Sequence, residues 1–195
     1  MTVSASKKLF HEKFPYVISG LYKRIIDEML VELNLLKHQN EFKQEELFCV
    51  GLTETFKELT KDYKPKDHLD MLFESLCRSS NFEPSKIKEI SEDTLRIYKD
   101  KSFKEISNLL KEKRKANLYS SRILNLGVYI VISNSNDFEN LDEIEKNKII
   151  SEIIKSLDLS VSRSDKDIGL YKTSLIKLQQ AKELIEESKV KNKGK

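Results

Sequence analysis

The stretch from Tyr16 to Lys37, YVISGLYKRIIDEMLVELNLLK, constrains the fold more than any other part of the chain. Its apolar residues recur at spacings of three and four, which places them in one broad stripe along an α-helix. The stripe consists of Ile18, Leu21, Tyr22, Ile25, Ile26, Met29, Leu30, Leu33 and Leu36. Val17, Val31 and Leu35 project from the opposite side among charged residues. We therefore expect this helix to have neighbours on two sides and a central position.

The remaining chain repeats the helical period in segments separated by short polar breaks. The predicted helices cover 4–14, 16–37, 45–60, a segment after Asp67, another from Pro84, another after Ser102, 118–133, a segment after Asn140, and 165–189. The composition agrees, with 38% apolar residues and only five glycines and three prolines in 195 residues. The pattern predicts an all-α fold in which one multi-helix bundle occupies residues 1–160.

The last predicted helix differs from the others in its apolar spacing. Ile168, Tyr171, Leu175 and Leu178 alternate in steps of three and four, which is a coiled-coil-like seam shorter than the three or four heptads of an established coiled coil. We expect this helix to form a separate segment over 161–188. The basic residues that follow, 189–195, are predicted to be a disordered tail.

Local chemistry at the segment ends supports the helical boundaries. Asp67 and Asn140 are predicted N-caps, with Glu143 three residues after Asn140. Asn81 suits a helix C-terminus, and Pro84 suits a first helical turn. Ser102 and Glu105 together have the form of a capping box.

Two segments raise specific packing questions. Gly51 lies inside a predicted helix, where glycine costs about 1 kcal/mol relative to alanine unless another backbone passes close by. We therefore expect close helix packing at Gly51. The β-branched run at 128–132 would suit a strand, but the flanking Ile123 and Leu126 keep the helical spacing and no partner strand is visible in the sequence.

Charge and hydropathy exclude several classes of protein. The 35 basic and 32 acidic side chains leave a formal charge of +3, which is little for a protein organised around nucleic acid. The longest strongly apolar run, 128–132, is far below the ~20 residues of a membrane-spanning helix. No secretory leader is evident. Cys49 and Cys77 lie among apolar residues, so we interpret them as reduced core residues.

No motif for a metal, cofactor or nucleophile stands out. His11, His38 and His68 lack the neighbours of di-iron or zinc sites. The segment 134–145 resembles an EF-hand frame but has Phe138 in place of an oxygen ligand. We therefore expect no metal, no cofactor and no catalytic residue, although a scattered catalytic site stays open.

Two basic segments offer charge for an anionic surface. These are the run KEKRK at 111–115 and the lysine-containing tail after Ser188. Either segment suits a solvated helix face or contact with nucleic acid or anionic lipid; aromatic residues are not interleaved with the charges.

Arg24, Glu28 and Glu32 form a polar ladder on the second side of the helix at 16–37. At this spacing Arg24 can pair with Glu28, while Glu28 and Glu32 repel each other unless another cation approaches. The ladder therefore predicts either a salt-bridge network to a neighbouring helix or a polar groove for a partner protein. Catalysis by this pair is a third, weaker alternative, since no base or nucleophile accompanies it.

Six stretches of the chain have the order and wording of one known family. They are YKRIIDEMLVELNLLK, LFCVGLTETF, DYKP, LFESLCRSSNFEP, LYSSRILNLGVY and DIGLYKTSLIKLQQA. On these stretches the chain resembles the thylakoid formation proteins, also called photosystem II biogenesis proteins. The best matches cover 22–36 and 167–181, and the resemblance spans nearly the whole chain.

The resemblance implies an all-helical, non-enzymatic accessory protein in thylakoid biogenesis and photosystem II assembly and repair. Its implied partners are membrane-anchored FtsH-type proteases and photosystem II subunits, with no nucleic acid and no small-molecule substrate. A peripheral position on the cytoplasmic side of the thylakoid membrane, with a soluble fraction, is expected. Since no transit peptide precedes the matching region, a photosynthetic prokaryote is the expected source. Arg24, Glu28 and Glu32 match the family's central-helix motif and are the predicted partner-binding residues.

A second reading assigns the function to lipid rather than to protein. In this alternative the chain is a peripheral lipid-surface protein that shapes thylakoid membranes directly through its basic segments.

Overall fold

A computed structural model describes residues 2–112 and 119–193. This part of the chain contains nine α-helices and no strand. They are α1 (Val3–Lys13), α2 (Gly20–Lys37), α3 (Glu46–Thr60), α4 (Leu69–Arg78), α5 (Pro84–Tyr98), α6 (Phe103–Glu112), α7 (Arg122–Ser133), α8 (Glu143–Ser156) and α9 (Val161–Lys193). The predicted all-α fold is confirmed, and the segment with the β-branched run is helix α7.

Helices α3 and α7 form the centre of the bundle. Eleven of the fifteen residues of α3 and nine of the twelve residues of α7 are buried. The two backbones meet at Gly51 and Gly127. A Cβ at Gly51 would lie 1.9 Å from the Ile123 carbonyl oxygen, and one at Gly127 would lie 1.8 Å from the Leu47 carbonyl oxygen. The close packing predicted at Gly51 is therefore confirmed.

The central position predicted for α2 is wrong. Only seven of its eighteen residues are buried, and they form a single face. The opposite face carries Arg24 and Glu28, whose charges stay in water because burying them would carry a large desolvation cost. Leu35 on that face is 54% exposed. α2 therefore covers one side of the core.

Helix α2 also begins later than predicted, at Gly20. The residues before it are anchored individually: Phe14 is buried in the core, and the Tyr16 ring stacks on His68 with 3.8 Å between ring centroids. Val17 is 95% exposed, so it has no helical neighbour to pack against. Ser19 occupies the N-cap position.

Several predicted boundaries are confirmed. Pro84 is in the first turn of α5, and Asn81 has a positive φ of 60° after α4, in the left-handed region that asparagine tolerates. The Ser102 amide donates to the Glu105 carboxylate at 2.9 Å, and the Glu105 amide donates to the Ser102 hydroxyl at 3.3 Å. This is the reciprocal pattern of a capping box.

Two predicted N-caps are wrong. Asp67 lies within a 3-10 turn, Lys66–His68, and α4 begins after His68 with no side-chain cap. Asn140 ends a second 3-10 turn, and Asp142 caps α8 in a capping box with Glu145. In both places the extra turn separates the expected cap from the helix start.

Helix α9 begins at Val161, the first residue of the segment predicted over 161–188 and four residues before the predicted helical pattern, and it ends later than predicted. Ser160 accepts a hydrogen bond from the Arg163 amide and so begins the helix before Asp165. The helix continues to Lys193, past the expected start of a disordered tail at residue 189, and residues 194 and 195 lie outside the described part. The division into a bundle over 1–160, a helix over 161–188 and a tail stays a prediction.

Candidate functional site

Arg24 and Glu28 form the predicted pair on the outer face of α2. The Arg24 Nε donates to the Glu28 carboxylate at 2.9 Å. The two side chains are 85% and 46% exposed. A pair this exposed contributes little to stability, so it leaves both groups accessible to a binding partner.

Glu32 leaves the ladder and turns into the bundle. Its carboxylate accepts a hydrogen bond from the Ile123 amide at 3.2 Å, in the first turn of α7. A negative charge at a helix N-terminus is favourable, because the free amides there carry partial positive charge. Glu32 therefore joins α2 to α7.

Burial nevertheless raises the pKa of Glu32 above its ordinary value of 4.5. The Arg122 guanidinium and the Ile123 amide oppose this rise in pKa, while the charge of Asp167 adds to it. Arg163 also lowers the pKa, more weakly than these neighbours. The desolvation of this partly buried carboxylate thus outweighs the attraction of the cations around it.

An open depression of about 630 Å³ runs along the outer face of α2. Arg24, Glu28 and Leu35 line it from α2, and Arg122 lines it from α7. A second depression of about 260 Å³ shares Leu35 and Arg122 with the first and continues to Arg163. We call the two depressions together the α2 trough. It combines exposed apolar surface with charges of both signs.

Lys23 and Asp27 of α2 also line the trough. From other helices the structure adds four further charged residues that the sequence did not indicate: Lys7, Arg122, Arg163 and Asp167. They come from α1, α7 and α9, and the Ile123–Glu32 bond spans 91 positions in sequence. Local spacing carries no signal for such pairings.

A separate cleft of about 380 Å³, which is not part of the α2 trough, lies between the end of α3 and α9. The Lys182 ammonium donates to the Asp62 carboxylate at 2.6 Å across it, and this bond lowers the pKa of Asp62. The seam residues Ile168 and Tyr171 are buried, so the coiled-coil-like stripe packs within the bundle. The coiled-coil-like character of this helix stays a prediction.

The end of α9 differs from its packed part. Leu184 and Ile185 are 64% and 46% exposed, just past the Lys182 bond. α9 therefore contacts the bundle as far as Lys182, and Leu184 and Ile185 are exposed beyond that contact, as Leu170 and Ile176 are on the outer side of the packed part.

The two cysteines belong to the core, as the sequence predicted. Cys49 and Cys77 are free and buried, and burial raises their pKa values to about 11 and about 12. Within residues 2–112 and 119–193, no three His, Cys, Asp or Glu side chains are grouped closely enough to hold a metal ion. Most of the basic run at 111–115 lies outside the described residues.

The fold and the trough together define a class: an all-helical protein with an open, amphipathic surface groove. Such grooves suit polypeptide partners, which contribute both apolar and charged side chains. The profile of the Thylakoid formation protein family matches residues 2–195, and the chain belongs to this family.

Curated relatives cover almost the full chain. Protein Thf1 of Prochlorococcus marinus subsp. pastoris (strain MED4) is 69% identical over 193 residues, 99% of this chain and 96% of the relative. Protein Thf1 of Prochlorococcus marinus (strain MIT 9312) is 66% identical over 195 residues, 100% of this chain and 97% of the relative. The resemblance predicted from the sequence is confirmed.

A solved structure of Psb29 has the same fold, with a TM-score of 0.86 at 24% identity and 100% of both chains covered. In the part of the chain that the structure describes, no helix has both the length and the apolar composition required to span a bilayer.

Proposed function

We propose that this protein is a non-enzymatic accessory factor in thylakoid biogenesis and photosystem II assembly and repair. In this role it binds and maintains membrane-anchored FtsH-type proteases from the cytoplasmic side of the thylakoid membrane. Membership of the thylakoid formation protein family supports the process. The single observation that supports binding is the α2 trough, because a polypeptide can bury the exposed Leu35 there beside an accessible ion pair.

Arg24 and Glu28 are the residues of this proposal that a partner reaches first. Each is exposed and held by the other, so a partner finds them in a defined geometry. Glu32 has a different role in the proposal: by accepting a hydrogen bond from the Ile123 amide it holds α2 and α7, the two walls of the trough, together.

Charge reversal at Arg24 tests the proposal. Arg24→Glu is expected to lower co-purification of the FtsH-type protease from detergent-solubilised photosynthetic membranes by about tenfold, the effect of losing one interfacial charge contact and gaining a repulsion. The matched control is Arg96→Glu, because Arg96 is also exposed and pairs with Asp93 at 3.0 Å on α5. Equal protease recovery with both variants would contradict a role for the trough.

A second candidate function is direct binding to a lipid surface. The exposed Leu184 and Ile185 near the end of α9 favour it, together with the four lysines in the sequence 189–195. Flotation of the purified protein with anionic vesicles, without any protein partner, is the expected result. Replacing Leu184 and Ile185 with serine is expected to reduce flotation, and unchanged flotation of that variant would exclude this role of α9.

A further inference from the structure

Most charges of the α2 trough are already matched within the protein. Lys7 pairs with Asp27 at 3.2 Å, and Arg24 pairs with Glu28 at 2.9 Å. Each of these pairs is electrically neutral, so neither pair sets the sign of charge that the trough prefers.

The two remaining carboxylates are engaged as well. Glu32 accepts from the Ile123 amide, and Asp167 accepts from the buried Asn125 side-chain amide at 2.7 Å. Both carboxylates therefore have hydrogen-bond donors from within the bundle.

Three cations of the trough are not matched in this way. Lys23, Arg122 and Arg163 line it and make no salt bridge within 4 Å to any residue of the described part of the chain. Arg122 lines both depressions and so lies where they join, while Arg163 lies in the second one. Leu35, half-exposed, lines both depressions as well. Arg122 and Arg163 attract the Glu32 carboxylate electrostatically but form no salt bridge with it. Their guanidinium groups are therefore available in the part of the trough that Leu35 lines, while Lys23 lies roughly 18 Å away along α2.

We propose that the α2 trough binds an acidic, amphipathic segment of a partner protein. An apolar side chain of this segment covers Leu35, and its carboxylates bind Arg122 and Arg163. This inference rests on the proposed function, in which the trough binds protein, and adds the chemistry of the bound segment. A guanidinium binds a carboxylate through two parallel hydrogen bonds, which gives both energy and orientation.

The same charges argue against a polyanion as the occupant. A nucleic acid or an anionic membrane presents a continuous row of phosphates, and these would approach Asp27 and Glu28 as well as the arginines. A peptide can place single carboxylates near Arg122 and Arg163. The residues of the same peptide that face Asp27 and Glu28 can be uncharged. A polypeptide with separated acidic residues therefore fits the pattern best.

Site-specific photo-crosslinking tests the inference. The crosslinking amino acid p-benzoylphenylalanine replaces Leu35 in the full chain, and in a control it replaces Ile97, which is 41% exposed on α5 and does not line the trough. Each protein is irradiated with detergent-solubilised photosynthetic membranes, and mass spectrometry identifies the crosslinked segment. We expect the Leu35 position to capture a segment that carries several Asp or Glu residues.

Substitution of the arginines provides the second readout. Arg122→Gln with Arg163→Gln is expected to lower the Leu35 crosslink yield at least about tenfold. Arg96→Gln is expected to leave it unchanged. The exposed Arg163→Gln alone, which does not disturb the α7 terminus, is expected to lower the yield in the same direction, so a folding defect of the double variant would not decide the outcome.

The possible outcomes separate the two proposals. Capture of a segment without acidic residues, or an unchanged yield in both arginine variants, overturns the inference and leaves protein binding by the trough intact. Capture of lipid at Leu35, or equal protein capture at Leu35 and Ile97, overturns the proposed function of the trough as well.

Discussion

Gly51→Ala tests the backbone contact at the centre of the bundle. The added methyl group would lie 1.9 Å from the Ile123 carbonyl oxygen and 2.9 Å from the Gly127 amide nitrogen. Ordinary van der Waals contact begins near 3.4 Å, so the carbonyl would have to retreat by about 1.5 Å. Because that oxygen belongs to the main chain of α7, it moves only if the helix moves.

The magnitude follows from two opposing effects. Overpacking a core typically costs about 1–3 kcal/mol, and displacing a central helix belongs at or above the top of that range. Alanine regains about 1 kcal/mol of helix propensity over glycine. We therefore expect Gly51→Ala to lower the free energy of unfolding by about 2 kcal/mol or more. For a chain of this size that corresponds to a fall in Tm of roughly 4–8 °C.

Urea and thermal unfolding followed by circular dichroism measure this effect. Gly169→Ala is the matched control, because Gly169 is also inside a helix but has no atom within 4 Å of an added Cβ. The control is expected to gain about 0.5–1 kcal/mol. If Gly51→Ala were as stable as the original protein, or gained as Gly169→Ala does, the close approach of α3 and α7 would be refuted.

Three further predictions concern single side chains. Burial raises the pKa of Glu32, so its ionisation lowers the free energy of unfolding as pH rises from below 4.5 through the raised pKa. Glu32→Gln is expected to remove this contribution, which unfolding curves recorded at a series of pH values measure. Asn81→Ala is expected to cost about 1 kcal/mol and Asn81→Gly to be neutral or stabilising in urea titrations, since φ is 60° there. With thiol pKa values raised to about 11 and about 12, Cys49 and Cys77 are expected to resist Ellman's reagent at pH 8 until the protein unfolds; fast labelling of the native protein would contradict their burial.

The ladder on α2 shows how far the sequence predicts the candidate site. The spacing of Arg24 and Glu28 predicts their ion pair, because residues four apart are neighbours on any helix. The same spacing places Glu32 beside Glu28, yet the structure turns it to the α7 terminus. Glu32 can turn away from Glu28 only because the free amides of the α7 terminus lie next to α2, and the sequence does not show that α7 is there.

The central helix shows the same limit for the fold. The apolar stripe of α2 runs along the whole helix, but such a stripe shows only that one face is buried and not how deeply the helix lies in the bundle. α3 and α7 lie deeper because Gly51 and Gly127 allow their backbones to meet. The sequence marked Gly51 as a contact point, whereas its partner became visible only in the structure.

The sequence by itself determined the helical class, most helix positions and the family, because periodicity, caps and long word-like matches depend on residues close together in the chain. The tertiary structure alone decided which helices are central and where the α2 trough lies. It brought Arg122 and Arg163 to the outer face of α2 from helices distant in sequence. Such contacts arise from the packing of whole helix faces, and the spacing of residues close together in the sequence does not predict them.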